Sequence, residues 1–459
     1  MRRLYAPRAY DTARWPDSHW RTTAAAPPRP ALAGEVQADV AIVGAGYAGL
    51  SAALALAERG IAAGVLGAGQ PRWGAAGRHC GLCCIGGAET SPPQPLRSFG
   101  HAEAAAFRQW QIDAVAHVER TLADRGIDAE AGPEKGEICL AYSEAGWKAM
   151  QAKAAEKRDA FGIAYRLIPR EELAQEGLTS PAAFGAWYDP VGFPLNPMRY
   201  VLGLAAAAEA AGARVCGDSP VTALAPEAGG WRLTTPGGSL RARQVLIATN
   251  GYSSEDLPSW IAGRTLPAMS SILVTRPLTE DERRAQGWTR RVMAYDSRRL
   301  LHYFRLLPDD RFLFGMRGGL SADPAEEAAV RRQVRADFQA MFPAWAGVEV
   351  EREWSGLVCL TGSLTPYAGR VPGGEGLWAA FGWHGNGVSS ASYGGHLTGR
   401  MMAGAQVMLP APVATPPRRF PLPALRLPLL RLVYWYHALR EGPGGRAQTP
   451  EIPRNFPSR

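Results

Sequence analysis

Lysine is nearly missing from this chain. Of its 50 basic residues only Lys135, Lys148, Lys153 and Lys157 are lysines, and none follows Lys157. Amine chemistry that runs through a lysine is thereby confined to one short stretch. Also missing is any run of roughly 18 apolar residues, which excludes an ordinary transmembrane helix. Behind Met1-Arg2-Arg3-Leu4-Tyr5-Ala6-Pro7-Arg8 comes no apolar core, so no secretory signal is expected. Cysteine is sparse: six in 459 residues do not make a disulfide scaffold, and a reducing, cytoplasmic setting is expected. Three of the six cluster in His79-Cys80-Gly81-Leu82-Cys83-Cys84. A structural zinc site needs two spaced ligand pairs, and no second pair exists. The cluster therefore reads as a small-residue strand, with no metal.

What is present suits a large core. Hydrophobic residues make up 46% and charged ones 20%, and the length fits two domains or one large α/β domain with an insert. The net charge is +8, but Ala411 to Arg459 holds 8 Arg against 2 Glu and so contributes +6 of it. The body is close to neutral, and no nucleic-acid partner is expected.

Residues before about 35 are rich in proline, arginine and aromatics and read as an extended lead-in. Ala38 to Val43 is a β-branched run expected to be a buried parallel strand. Gly44-Ala45-Gly46-Tyr47-Ala48-Gly49 follows, then a helical stretch from Leu50 to Arg59 stopped by Gly60, then a strand from Ile61 to Leu66. A lone Gly-x-Gly-x-x-Gly is weak evidence, and a glycine-rich turn without ligand is the plain alternative. Strand before and helix after are the context of a dinucleotide-binding turn. Gly44 would permit the turn, Gly46 the approach of a pyrophosphate, and Gly49 close helix–strand packing, with the helix dipole facing the phosphates. One expected part is absent. The acid that ends the second strand and grips the ribose is replaced by Gly67, and no Asp or Glu occurs between Glu58 and Glu89.

Further along, helical periodicity covers about 101–125, 143–162, 200–211 and 324–341, with short strands between. Trp73-Gly74-Ala75-Ala76-Gly77-Arg78-His79-Cys80-Gly81, Gly192-Phe193-Pro194-Leu195-Asn196-Pro197 and Leu246-Ile247-Ala248-Thr249-Asn250-Gly251-Tyr252 stand out as motifs. So do Leu301-His302-Tyr303-Phe304-Arg305, Trp354-Ser355-Gly356 and Phe381-Gly382-Trp383-His384-Gly385-Asn386-Gly387-Val388. With these in order, nearly the whole chain resembles the FAD-dependent amine and amino-acid oxidoreductases of the D-amino-acid-oxidase superfamily. The gamma-glutamylputrescine oxidase branch is the most similar. Where that branch has W-G-A-S-G-R-N-G-G, this chain carries Ala76, His79 and Cys80 as departures.

The resemblance implies an α/β fold: a Rossmann-like FAD-binding domain with an inserted α+β substrate domain carrying a mixed or antiparallel sheet. By position, residues 1–34 are the lead-in; 35–95, 190–265 and 355–408 form the FAD domain; 96–189 and 266–354 form the substrate domain; 409–459 are a basic tail. It places FAD against the Gly44–Gly49 turn, the Gly74–His79 loop, Val221 at the adenine, Thr249-Asn250-Gly251 at the phosphates, and Gly385-Asn386-Gly387-Val388 at the flavin ring. Oxidation of a C–N bond is implied, with hydride passing to flavin N5 and the imine hydrolysing afterwards. The substrate is a small amine, polyamine derivative or amino acid, and the electron acceptor is oxygen or another, unspecified one.

Tyr303, Arg305, Trp383 and His384 are the expected site wall. Arg305 reads either as a clamp on a substrate carboxylate or as a cross-strand ion pair. His302 alternates with Tyr303 along the strand, so only one of them should face the site. Covalent flavin attachment has two candidates, His79 and Cys359. Cousins that reduce oxygen place a lysine over the flavin, and the absence of lysine after Lys157 tilts the reading toward a dehydrogenase. A flavin-poor relative with a binding or scaffolding role is the alternative that Gly67 motivates. The tail from Leu429 to Arg440 is expected as a helix docked on the body, with peripheral contact to an anionic membrane as the other reading. Oligomeric state is not legible.

Overall fold

The computed structural model describes residues 1–85, 99–162, 164–319 and 322–440, with backbone alone at 160, 161 and 437–440. The expected boundary at 95/96 and the tail beyond 440 lie outside the described residues. In chain order the first elements are β1 (Gly34–Val43), α1 (Tyr47–Ala57), β2 (Ala63–Leu66), β3 (Leu82–Cys84), α2 (His101–Asp124), β4 (Glu137–Leu140) and α3 (Glu144–Phe161). Next come β5 (Arg166–Pro169), β6 (Gly185–Asp189), β7 (Gly192–Pro194), α4 (Pro197–Ala210), β8 (Arg214–Cys216), β9 (Ala223–Glu227), β10 (Gly230–Thr235) and β11 (Gly238–Ile247). Then follow β12 (Thr265–Pro277), α5 (Glu280–Gln286), β13 (Met293–Asp296), β14 (His302–Leu306), β15 (Arg311–Arg317) and α6 (Pro324–Met341). The last are β16 (Val350–Thr361), β17 (Tyr367–Arg370), β18 (Leu377–Phe381), α7 (Ser392–Met402), α8 (Ala411–Ala414) and α9 (Arg426–Arg440).

One sheet runs β17-β18-β11-β1-β2-β8, with the β9–β10 hairpin hung on β11. Its middle is parallel: β1 pairs in parallel with β2 and β11, β2 with β8, and β11 with β18. Such strands are covered on both faces, which is why Val40, Ala41 and Ile42 read as continuous apolar sequence. Strand order reverses beside β1, with β2 on one side and β11 on the other. In open α/β sheets a crevice forms at that switch, outside the strand C-termini. Helix α7 crosses α1 closely. A Cβ at Gly395 would lie 2.1 Å from the Ala48 carbonyl oxygen, and one at Gly399 would lie 2.6 Å from that of Ala52. That glycine pair, four residues apart on one helix face, brings the loop before α7 over the start of α1. The chain enters α7 through a π turn, Gly387–Ala391.

The second sheet runs β16-β12-β15-β14-β13-β4-β6-β5 and is antiparallel except where β13 meets β4. The chain is thus a Rossmann-like domain with a substrate domain. The second sheet's back packs on α6 through Phe304, Phe312, Phe314, Phe338, Phe342 and Trp345. Phe312 and Phe342 meet edge to face at 4.7 Å between ring centroids, a geometry that aromatic quadrupoles favour. β16 passes unbroken through 354/355, where a domain junction was expected.

Alternation along β14 decides the fate of two candidates. His302 faces the back, where it is 2% exposed. Its Nδ1 meets Asp296 at 2.7 Å and its Nε2 meets Asp337 at 3.1 Å, while Arg298 also pairs with Asp296. Burial alone would depress the histidine, but the two carboxylates outweigh it and raise its pKa to about 9. His302 is therefore a fold-holding cation, and its candidacy as a catalytic residue is withdrawn. Because its pKa lies above the ordinary 6.5, its stabilisation is complete below that pH and fades as pH rises through about 9. Replacing it leaves buried Asp337 without a cation and Asp296 with Arg298 alone, so His302→Gln should lower stability by roughly 3–5 kcal/mol. In thermal melts the wild type should lose stability between pH 7 and 10, and the variant should show a flatter profile. Equal pH slopes would contradict the buried ion triad.

The lead-in is not extended. It makes two short turns, Pro7–Tyr10 and His19–Thr22, and buries Trp20, whose Nε1 donates to the His79 carbonyl at 2.8 Å. At the other end α9 docks through Leu427, Leu430 and Tyr434, and Arg426 pairs with Glu255 at 2.7 Å.

Candidate active site

A cleft of about 1420 Å³, its open mouth included, starts where β1, β2 and β11 end. Gly44 has a φ of +115°, and a Cβ there would sit 2.6 Å from the Ala248 carbonyl oxygen. A Cβ at Gly49 would fall 1.9 Å from the Gly44 oxygen. Those two glycines let the backbone close on itself. Gly46 differs: it lines the cleft, and nothing stands within 4 Å of where its Cβ would be. Ala45 and Tyr47 line the same stretch. The first N–H groups of α1 have no partner within the helix, and its positive dipole end opens here.

Open space over a glycine recurs twice more along the cleft, at Gly74 and Gly387. Ala75 and Ala76 line it beside Gly74, whereas Gly77 is tucked against the Arg72 carbonyl. Arg78 stands behind the loop: its Nε donates to the Trp73 carbonyl at 2.6 Å and its guanidinium lies 4.7 Å from the Trp73 ring centre. At the far end the walls are Leu66, Gly67, Ala68, Pro220 and Val221. The missing acid has a steric counterpart there. A Cβ on Gly67 would meet the Gly69 oxygen at 2.6 Å and the Ala45 Cβ at 3.1 Å, so this strand end has no room for a side chain.

Thr249 and Asn250 line the middle of the cleft, and Asn250 Oδ1 accepts from the Gly382 N–H at 2.9 Å. Gly251 lies behind them against Leu357. Gly385 lines the cleft, but Asn386 donates to the Cys84 carbonyl at 3.2 Å and Val388 is core. Met1, Arg3 and Tyr10 of the lead-in, which the sequence did not flag, also reach in, as does Tyr252 at the end of the Leu246–Tyr252 motif. Tyr5 Oη donates to the Pro267 carbonyl at 2.8 Å and the Glu255 N–H to the Arg2 carbonyl at 2.7 Å, which fixes this segment. Arg3 lies 4.3 Å over the Tyr10 ring and forms no ion pair among the described residues. Burial lowers its pKa, which is otherwise far too high to leave it neutral.

His79 lines the cleft with a settled tautomer. Its Nδ1 accepts from the Gly81 N–H at 2.9 Å, so the proton sits on Nε2, 2.9 Å from Tyr47 Oη. Burial, and then Arg305, push its pKa down to about 3. Cys359 also lines the cleft, with its thiol pushed up to about 12 by burial. All six cysteines are free, and no group of three metal-ligating side chains comes together among the described residues.

The front of the second sheet stands beside the other end of the cleft, which Leu357, Val358 and Cys359 line while Ser270, Tyr303 and Arg317 lie next to it without lining it. Trp383 lines the cleft. His384 does not: its ring turns toward Thr361 at 3.4 Å, and burial lowers its pKa to about 4. Arg305 is 3% exposed and spent on carbonyls, of Cys80 at 3.0 Å and Leu195 at 2.7 Å. It is neither the carboxylate clamp nor the cross-strand ion pair; it braces the loop after His79. Register instead gathers Ser270, Tyr303 and Arg317. Ser270 stands opposite Arg317, and Tyr303 opposite Gly315, two residues from Arg317 on the same face. Tyr303 Oη and Ser270 Oγ are 2.7 Å apart. Arg317 donates to the His384 carbonyl at 2.8 Å, next to Gly385, and has no carboxylate within ion-pair distance among the described residues. Nothing in the sequence singled it out, because only register brings it beside Tyr303.

A long groove with three open glycine positions, a helix dipole and Arg3, which forms no ion pair among the described residues, suits an elongated dinucleotide such as FAD. A family model described as "FAD dependent oxidoreductase" matches residues 39–401. The gamma-glutamylputrescine oxidoreductase of Escherichia coli is 27% identical over 423 residues, covering 88% of this chain and 93% of that one. The probable oxidoreductase OrdL of Haemophilus influenzae is 27% identical over 371 residues, covering 80% and 83%. Among solved structures, glycine oxidase from Geobacillus kaustophilus superposes with a TM-score of 0.67 at 21% identity, over 82% of this chain and 97% of that one.

Proposed function

The chain belongs to the FAD-dependent oxidoreductase family, and from that premise we propose that it oxidises the C–N bond of a small amine or amino acid bearing an acidic group. Oxidoreduction of amine or amino-acid substrates with FAD follows from the family and its relatives. The acidic group is the finer step, and the observation that carries it is Arg317, which donates to the His384 carbonyl beside the cleft-lining Gly385 and has no carboxylate within ion-pair distance among the described residues.

Gly46, Gly74 and Gly387 would lie against the cofactor, and Arg3 and the α1 dipole would meet its phosphates. Bound FAD supplies, at flavin N5, the acceptor for the hydride that leaves the carbon beside nitrogen. The protein's own residues supply orientation, charge and dryness. Arg317 holds the substrate's anionic group, with Tyr303 and Ser270 as neighbouring donors. No group on this wall is a base poised near neutral pH. His79 and His384 are neutral and held by their own contacts, and burial raises the Tyr303 phenol. The amine therefore enters as the free base, a form that the nearby guanidinium favours by depressing the ammonium pKa. The substrate loses two electrons and two protons overall, and the imine hydrolyses in water after release.

FAD is read as non-covalently held. Both His79 nitrogens are committed, and the Cys359 thiol stays protonated, so neither is an available nucleophile. The cleft walls hold no lysine, which supports slow reaction with oxygen and leaves room for another acceptor. The test is anaerobic bleaching of the yellow protein. Amines carrying a carboxylate should bleach it, amines without one should do so more slowly, and acid precipitation should release all the flavin. Bleaching by α-hydroxy acids but by no amine would overturn the C–N assignment.

A further inference from the structure

Exposed large apolar side chains are not scattered over this molecule. Among the described residues all but Met1, Leu364 and Met408 lie between Leu422 and Tyr436. From Leu425, the residue just before α9, through Leu429, Leu432 and Val433, exposed apolar side chains recur at three- and four-residue spacing and so share one face. The opposite face is already used, through Leu427, Leu430 and Tyr434 against the body. The helix therefore has two apolar faces, one docked and one bare.

The charge along this stretch of chain has one sign. No Asp or Glu occurs between Glu375 and Glu441. Arg426 is taken up by Glu255, but Arg418, Arg419 and Arg431 are exposed and form no ion pair among the described residues. Residues 441–459 contribute only Ile452 and Phe456 as large apolar side chains, too few to cover the stripe.

A second copy fits poorly. Two such faces would bring arginines onto arginines, and a helix of 15 residues is about 22 Å long. Its stripe could bury on the order of 200–300 Å² per partner, against about 800 Å² in a standard interface. The helix is also too short and too polar to cross a bilayer, and no described helix is long and apolar enough to do so. An amphipathic helix with an apolar stripe, arginine flanks and interfacial aromatics such as Trp435 matches a lipid surface.

We propose that α9 seats the protein on an anionic lipid surface, with the Leu425–Val433 stripe at the acyl boundary and Arg418, Arg419 and Arg431 on lipid phosphates. Flotation of the full-length yellow protein with vesicles tests this. Vesicles of phosphatidylcholine with about a third phosphatidylglycerol should carry at least tenfold more protein than phosphatidylcholine alone, and about 0.5 M salt should release it. A Leu429→Glu, Leu432→Glu, Val433→Glu variant and an Arg418→Ser, Arg419→Ser, Arg431→Ser variant should each lose that flotation and keep their flavin absorbance. Three results would overturn the proposal: no flotation on anionic vesicles, equal flotation on both compositions, or a dimer in gel filtration that the glutamate variant converts to monomer.

Discussion

Substituting Gly46 with valine should leave the protein folded and take away its colour. Gly46 caps α1 with φ −95° and ψ −172°, an extended conformation that valine adopts without strain. Nothing stands within 4 Å of the new Cβ, so the apoprotein has no clash to relieve. Losing glycine at the cap position costs on the order of 1 kcal/mol. The branched side chain then fills the groove where a pyrophosphate would approach the backbone. Displacing two charge-assisted hydrogen bonds of about 1.5–3 kcal/mol each weakens FAD by roughly two to four orders of magnitude. Titration of apoprotein with FAD reads this directly, and circular dichroism confirms the fold. Gly49→Val is the contrast: its Cβ falls on the Gly44 oxygen at 1.9 Å, so it should fail as a fold. Wild-type flavin content in Gly46→Val would mean that the cofactor lies elsewhere.

Removing the cation at Arg317 should have the second-largest effect. A substrate carboxylate facing Arg317→Met loses its partner and stays desolvated, a cost of roughly 3–4 kcal/mol. For carboxylate-bearing amines kcat/KM should fall about 10²- to 10³-fold. Bleaching by amines without a carboxylate should change little, and flavin content not at all. Arg317→Lys should recover part of the loss, since it restores charge without the planar fork. Arg305→Met separates the two arginines. It frees the Cys80 and Leu195 carbonyls and should destabilise the loop after His79, with no preference for carboxylate substrates. Equal losses for both substrate classes in Arg317→Met would remove the acidic-group assignment.

Both outcomes turn on features of different visibility. The dinucleotide turn was legible because it is local: strand, three glycines and helix are contiguous, and each glycine has a distinct steric duty. The helix 324–341 was legible to its ends for the same reason, with apolar spacing, Asp323 as cap and Pro324 at the first position. His302 was misread because alternation says that one of two neighbours faces the site, not which one. The choice fell to Asp296 and Asp337, which come from β13 and α6 and could not be placed beside β14 from the sequence. Arg305 carried a plausible chemistry, but its position behind two carbonyls depends on how β14 meets the loop after β3.

By itself, then, the sequence determined the strand–turn–helix of the glycine motif and the main helices, since periodicity and glycine placement act over a few residues at a time, while the cofactor, the class of reaction and the two-part architecture came from the family resemblance that its ordered motifs carry. Which arginine stands beside Tyr303, how the lead-in folds over the cleft, and which face of α9 stays exposed were decided only by tertiary structure. Those depend on strand register and on packing between segments hundreds of residues apart, and a shift of one residue in register would turn each side chain to the opposite face.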